Sequence, residues 1–420
     1  MDIFGHAKQA YENATTDVES ALATAAAIPV SIQCWQGDDV KGFDTDASTA
    51  ASGGIQATGQ YPGRARNFSE LTADFAKACE MIPGRKRINL HASYAVAAPG
   101  EVIERDNISF RHFVPWVDFA REMGLGIDFN PTCFGHARVK DGLTLSSPDE
   151  ATRQYWVAHC RRAREIAQAM GDALDDDVLC NLWIPDGFKD TPADRLGPRQ
   201  RLRQSLDEIF AAPLPRVVDS VESKVFGIGL ESYTVGSNEF YLAYTAARNQ
   251  VPGLQKVYPL LDNGHFHPTE NTADKIAALL CFYDTIPLHL TRAVRWDSDH
   301  VPRFDDELRE ICAEIVRNDA LARVRIGLDF FDASINRVAA WVVGARNVQK
   351  ALLYALLTPH GKLKATQDAG DFTSLLVISE DMKTLPFGIM WDQYCDMQGV
   401  PRDGAWLPLV QTYEAQLSRQ

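Results

Sequence analysis

Basic patches, long apolar runs and paired cysteines are all missing from this 420-residue chain. Its 42 lysines and arginines are outnumbered by 56 acids, for a formal net charge of −14. No basic stripe gathers the cations, which argues against nucleic acid or an anionic membrane surface as a partner. No stretch reaches the ~18 apolar residues of a membrane-crossing helix. Residues 1–27 carry Asp2, Glu12, Asp17 and Glu19 and lack a basic start followed by an apolar run, so they do not read as a signal peptide. The eight cysteines (Cys34, Cys79, Cys133, Cys160, Cys180, Cys281, Cys312 and Cys395) include no C-x-x-C pair. They are expected to be buried, reduced thiols of a cytoplasmic protein. Gly53 and Gly54 open a glycine-bearing stretch that runs to Gly59. It lacks G-x-G-x-x-G, and no strand feeds a helix there, which excludes a dinucleotide fingerprint. Neither a Walker A lysine motif nor G-x-S-x-G occurs. Linkers, low-complexity tracts and internal repeats are absent as well.

What is present is an ordinary globular mix, 45% hydrophobic and 23% charged. Short β-rich runs alternate with longer helical patterns. The expected strands are Pro29–Cys34, Arg87–His91, Leu125–Asn130, Val178–Ile184, Val217–Ser223, Lys256–Leu261, Pro287–Thr291 and Arg325–Asp329. Expected helices between them include Arg153–Met170, Arg199–Ala211, Glu239–Ala247, Thr272–Tyr283 and Asp305–Asn318. Such alternation predicts βα units and a parallel sheet, and eight units predict a closed (β/α)₈ TIM barrel. The barrel is expected over residues 29–338. A helical N-terminal segment would precede it (1–28), and a mostly helical C-terminal extension (339–420) would wrap it or pack on a neighbouring subunit.

The strand ends carry the chemistry. Gln33, His91, Asn130, Trp183, Glu222, Asp262, His289 and Asp329 fall at or just past the C-terminal ends of the eight apolar runs, the rim on which barrel enzymes build their sites. Acids and imidazoles recur there: V-E-S-K (Glu222, Lys224), L-D-N-G-H-F-H-P (Asp262, His265, His267), L-H-L (His289), R-W-D-S-D-H (Asp297, Asp299, His300) and G-L-D-F-F-D (Asp329, Asp332). Singly, each residue reads best as a cap or a solvated group. Together they form a crowd of carboxylates that resists ionising unless cations lie between them. Oxygen ligands with a few imidazoles suit divalent ions such as Mn²⁺, Mg²⁺, Co²⁺ or Zn²⁺. Asp262 and His265 are three apart and can meet across a turn; Asp297 and Asp299 are two apart and share a face if extended. Lys224 reads either as a solvated lysine or as a cation that holds a substrate oxygen and stabilises developing negative charge. His91 is either a satisfied core histidine or a contact to a sugar oxygen. Phe134 and Trp183 are either core aromatics or faces for the C–H side of a sugar.

Longer motifs narrow the choice. Q-C-W-Q-G-D-D-V, G-G-I-Q-A-T-G, P-G-R-K-R-I-N-L-H-A, L-W-I-P-D-G, V-E-S-K, F-G-I-G-L-E-S-Y-T-V-G-S-N-E-F-Y, G-H-F-H-P-T-E, V-R-W-D-S-D-H-V and G-L-D-F-F-D-A-S-I-N-R resemble the L-rhamnose isomerase family, from near residue 5 into the tail. The wider xylose isomerase group shares the skeleton of Glu-x-Lys, an acid three before a His, and Asp-x-Asp. The stretch Arg248–Val257 is longer than the family pattern, which touches the start of the sixth strand and not the ligands. By position, the resemblance implies a structural metal held by Glu222, Asp262, His289 and Asp329, and a catalytic metal held by His265, Asp297 and Asp299. It places His91, Trp183 and Lys224 against the sugar. It further implies two divalent ions per subunit with Mn²⁺ foremost, a cytoplasmic homotetramer, and conversion of L-rhamnose to L-rhamnulose.

Two routes would serve that chemistry: proton transfer through an enediol, or a hydride shift between C2 and C1 assisted by two metals. The second is expected, because the candidate acids are committed as ligands. A metal-dependent hydrolase or nuclease on the same barrel is the alternative. It would want more cations for phosphate than the one prominent lysine at the rim. A non-catalytic sugar-binding protein would have no use for seven metal ligands.

Overall fold

The computed structural model describes residues 2–14, 16–43, 59–224, 232–294 and 297–419. The glycine-bearing stretch up to residue 58, residues 226–231 of the long F-G-I-G-L-E motif, and Arg295 and Trp296 lie outside the described residues.

Eight parallel strands close on themselves: β1 (Val30–Gln33), β2 (Lys86–His91), β3 (Gly126–Asn130), β4 (Val178–Leu182), β5 (Val217–Glu222), β6 (Val257–Asp262), β7 (Ile286–Leu290) and β8 (Val324–Leu328). Each pairs with its neighbours in sequence order, and β1 closes on β8. The expected strands are all present, within one or two residues at either end. Their β-branched and leucine-rich runs are buried nearly throughout, as strands enclosed by a helical ring must be. Two short pairs of residues, Gly187–Phe188 and Tyr233–Thr234, form an antiparallel ribbon beside the mouth.

The N-terminal segment is two helices, α1 (Ile3–Asn13) and α2 (Val18–Ala27), started by Asp2 and Asp17, whose side chains accept the N–H of Gly5 and Ser20. Around the barrel run α3 (Phe68–Cys79), α4 (Val114–Met123), α5 (Glu150–Leu174), α6 (Leu196–Ile209), α7 (Asn238–Asn249), α8 (Thr272–Leu280), α9 (Asp306–Arg317) and α10 (Arg337–Leu356). In α9, Asp305 caps the start, acids fill the first turn and Arg317 closes the last, so charge and helix dipole agree. Helix α10 follows β8 and packs against α9, α3 and α2. It completes the ring, and the division expected at residue 338 falls within it. Beyond it lie α11 (His360–Asp368), α12 (Phe372–Met382), α13 (Phe387–Met397) and α14 (Leu407–Gln416). A separate apolar cluster joins α1 and α2 to α13, with Tyr11, Leu22, Met390 and Tyr394 at its centre. No helix among the described residues is long and apolar enough to cross a membrane. All eight cysteines are free, and seven are buried. Cys281 is exposed, contrary to the expectation of burial, because it caps α8 where the chain leaves the ring.

Candidate metal centre

The C-terminal ends of the strands converge on one cavity. Glu222 ends β5, Asp262 ends β6, His289 is next to last in β7, and Asp329 follows β8. Ladder registry does part of the placing: Asp262 lies opposite His289, and His289 opposite Gly327. Gly327 matters here because a Cβ on it would sit 3.0 Å from His289 Cδ2. Each of the four residues offers one ligand atom, and these atoms lie within 4.8 Å of one another.

Their hydrogen bonding is lopsided. Trp35 Nε1 donates to Asp329 Oδ1 at 3.0 Å, and the N–H of Gly264 donates to Asp262 Oδ1 at 2.6 Å. Among the described residues, Glu222 Oε1, Asp262 Oδ2, His265 Nδ1, both ring nitrogens of His289 and Asp297 Oδ1 are buried with no hydrogen-bond partner. His265 Nδ1 lies 3.2 Å from Glu222 Oε1, and His289 Nδ1 lies 3.3 Å from Asp329 Oδ2 and 3.5 Å from Glu222 Oε2. These approaches do not meet hydrogen-bond geometry, so the groups face a common centre more than one another. Buried polar atoms rarely go unpaired, and a set of them aimed inward is the arrangement a cation completes.

The electrostatics agree. Burial lifts the Asp262 carboxyl to about 7, helped by Glu222 and Asp329. Burial and the neighbouring Asp297 hold Asp299 well above the carboxylate range. Burial alone would lower the imidazoles, but Asp262 and Asp297 outweigh it and raise His265 to about 10. Glu222 and Asp329 likewise hold His289 well above its usual value. A cluster that must recruit protons to balance its acids has the charge and donor set that a divalent ion fits.

The second expected group is arranged differently. His265 Nε2 lies 3.4 Å from Asp297 Oδ2, and Lys224 Nζ lies 2.6 Å from the same oxygen. Asp299 lines the cavity. Its φ is +46°, so Asp297 and Asp299 do not lie on one extended segment as the two-residue spacing suggested. The left-handed backbone at Asp299 itself turns the chain there. His267 is exposed and bonds Thr269, and His300 pairs with Asp332 at 3.3 Å outside the four-residue group.

Aromatic rings line the other wall. Trp35, His91, Phe134 and Trp183 form a run of edge-to-face contacts with centroids 4.7, 5.4 and 5.5 Å apart. His91 Nδ1 is 3.2 Å from Thr132 Oγ1, and burial pushes its pKa down to about 3, so the ring is neutral. Lys224 Nζ stands 5.0 Å from the centre of the Trp183 ring. Burial would lower the Lys224 pKa, but Asp297 and Asp299 raise it above its ordinary value and keep it an ammonium. Trp35 and Asn181 also line the cavity, and sequence reading did not single them out. Trp35 sits two residues past β1 in a motif noted only for its resemblance. Asn181 is a polar residue inside the apolar run of β4, a signal that a barrel interior could have supplied.

The profile of the L-rhamnose isomerase (RhaA) family matches residues 1–420. The chain belongs to the L-rhamnose isomerase family. Membership makes it an aldose–ketose isomerase. It is 50% identical to the L-rhamnose isomerase of Escherichia coli O127:H6 over 98% of this chain and 96% of that protein. Its identity to the Cronobacter sakazakii L-rhamnose isomerase is 50% over 97% and 96%, and to that of Shigella flexneri serotype 5b 49% over 99% and 97%. Among solved structures, an L-ribulose 3-epimerase superposes on 78% of this chain and 95% of its own, with a TM-score of 0.49 and 12% identity.

Proposed function

We propose that this chain converts L-rhamnose to L-rhamnulose by a hydride shift between C2 and C1, with two divalent ions at the barrel mouth. The observation that carries the reading is the convergence of Glu222, Asp262, His289 and Asp329, their ligand atoms within 4.8 Å, in a chain of this family. These four would hold the structural ion; His265, Asp297 and Asp299 would hold the catalytic one. Such ions, Mn²⁺ foremost, act when bound as Lewis acids on the sugar's O1 and O2.

The chain's own groups divide the remaining work. Phe134 and Trp183 offer ring faces to the C–H side of the open-chain sugar. His91, neutral, hydrogen-bonds a sugar hydroxyl without adding charge. The Lys224 ammonium donates to a substrate oxygen and stabilises the negative charge that builds there. Paired with Asp297 Oδ2 at 2.6 Å, it is read as a donor and not as the carbon base, and the nearby carboxylates would be engaged as ligands. The hydrogen at C2 therefore moves with its electron pair to C1, while the O2 proton passes to O1, so that C2 becomes the carbonyl carbon and atoms balance. The family resemblance supports a homotetramer. Free cysteines throughout support a reducing, cytoplasmic setting.

The test is isotopic. With Mn²⁺ and L-rhamnose deuterated at C2, the ketose product should carry deuterium at C1 with little exchange into water. Extensive washout of label would point to an enediol route, and absence of ketose would overturn the substrate assignment.

A further inference from the structure

The strand pair that carries Glu222 also holds a buried polar relay. Asn181 on β4 and Ser220 on β5 lie opposite one another in the ladder, and both are buried. The Ser220 hydroxyl donates to Asn181 Oδ1 at 2.9 Å, and Asn181 Nδ2 donates to Glu222 Oε2. Ser220 and Glu222, two apart on β5, share the face that looks into the barrel. Chemistry fixes the amide's orientation: an ionised carboxylate only accepts, so a flipped Asn181 would set its oxygen against Glu222 and lose the bond.

The consequence falls on Glu222. Its two oxygens face two different imidazoles, Oε1 toward His265 Nδ1 at 3.2 Å and Oε2 toward His289 Nδ1 at 3.5 Å. A glutamate side chain turns freely about its last bond unless something holds it. The amide N–H uses one lone pair of Oε2 and leaves the others free to ligate. Trp35 and the Gly264 N–H treat the other two acids in the same way, one oxygen each.

We propose that Asn181, itself held by Ser220, is a positioning residue for the metal ligand Glu222: its amide N–H sets the rotation of that carboxylate, so that both oxygens are presented to the ligand sets on either side. The inference rests on the reading of Glu222, Asp262, His289 and Asp329 as metal ligands.

The experiment strips the purified full-length protein with chelator and titrates it with Mn²⁺ alone by calorimetry. Wild type, Asn181→Leu and Ser220→Ala are compared. Melting temperatures are recorded with and without the ion. Asn181→Leu, similar in size but without the donor, should weaken the tightest Mn²⁺ binding by ~10–100-fold, the usual effect of losing a partner that orients a ligand. Ser220→Ala leaves the amide able to donate but no longer held, and should weaken it by a smaller factor. The rise in melting temperature on adding Mn²⁺ should shrink in the same order. Unchanged Mn²⁺ affinity in both variants would overturn the proposal, including the case in which the metal-free melting temperature alone falls, since that is the mark of a purely structural amide. Wild type that takes up no Mn²⁺ would instead overturn the metal reading on which the proposal stands.

Discussion

Both ends of the barrel bury charge, and they treat it in opposite ways. Toward the N-terminal ends of the strands, the Arg87 guanidinium donates to both oxygens of Asp128, to the carbonyls of Ile127 and Asp177, and to Asp176. Ser31 Oγ and the N–H of Leu179 complete Asp128. Arg164 grips Asp219 through two 2.7 Å bonds and also donates to the carbonyls of Ile209 and Ala212. At the C-terminal mouth, acids and imidazoles face inward, with several oxygens and nitrogens unmatched among the described residues. Burial opposes ionisation at both ends. It loses to Arg87 at Asp128, whose carboxyl is held below its usual value, and it wins at Asp219 in spite of Arg164, as it does at Asp262 and Asp299, so what separates the two ends is the matching of donors to acceptors and not the direction of the shift. The lesson is that burial of charge does not by itself mark a functional site. A closed set, donors matched to acceptors, fastens strands together. An open set with acids in excess is built to be finished by a cation.

Removing what completes the open set should have the largest effect. EDTA should abolish turnover, and Mn²⁺ or Co²⁺ should restore it. His265→Ala or Asp297→Ala should remove turnover with the fold kept, whereas Glu222→Ala or Asp329→Ala should also lower the melting temperature of the Mn²⁺-loaded protein. Full activity in protein shown by elemental analysis to be metal-free would break the comparison outright. The next largest effect lies at the closed end. Arg87→Met strands Asp128 in the interior and should cost about 3–5 kcal/mol of unfolding free energy by denaturant titration, the range for half-broken buried pairs, with Mn²⁺ affinity unchanged. A drop in Mn²⁺ affinity there would mean that the two ends are coupled. Lys224→Met keeps bulk, loses the ammonium, and should lower turnover by ~10²–10³, or about 2.7–4 kcal/mol, while Mn²⁺ still binds. Near-normal turnover would return Lys224 to a plain partner of Asp297. Smallest is Ser31→Ala, which removes one donor from a carboxylate that keeps several others. A loss of about 1 kcal/mol in stability is expected, and no change in turnover.

Much of this was legible in the one-dimensional pattern, and the failures have identifiable causes. Apolar runs bounded by turns marked all eight strands, because a strand covered on both faces has to be apolar along its length. The polar residue closing each run marked the rim. Trp35 escaped because its role depends on a partner 294 positions away, the carboxylate of Asp329. Asn181 escaped because a single amide in a strand carries no period. The spacing of Asp297 and Asp299 could speak only for an extended segment, and the positive φ at Asp299 shows that the local backbone does not meet that condition. Cys281 was expected inside by composition and lies outside because of where α8 ends.

Order along the chain, the number of βα units and the kinds of ligand are properties of sequence: periodicity, cap residues and side-chain chemistry are local, and each acts within a few residues. Which of the many acids meet is not local. Glu222, Asp262, His289 and Asp329 span four strands, and only closure of the barrel and the registry of neighbouring ladders bring their ligand atoms within 4.8 Å. The pairing of Lys224 with Asp297 and the neutrality of His91 were decided in the same way. Both follow from desolvation and through-space charge, quantities that exist only once the chain has folded.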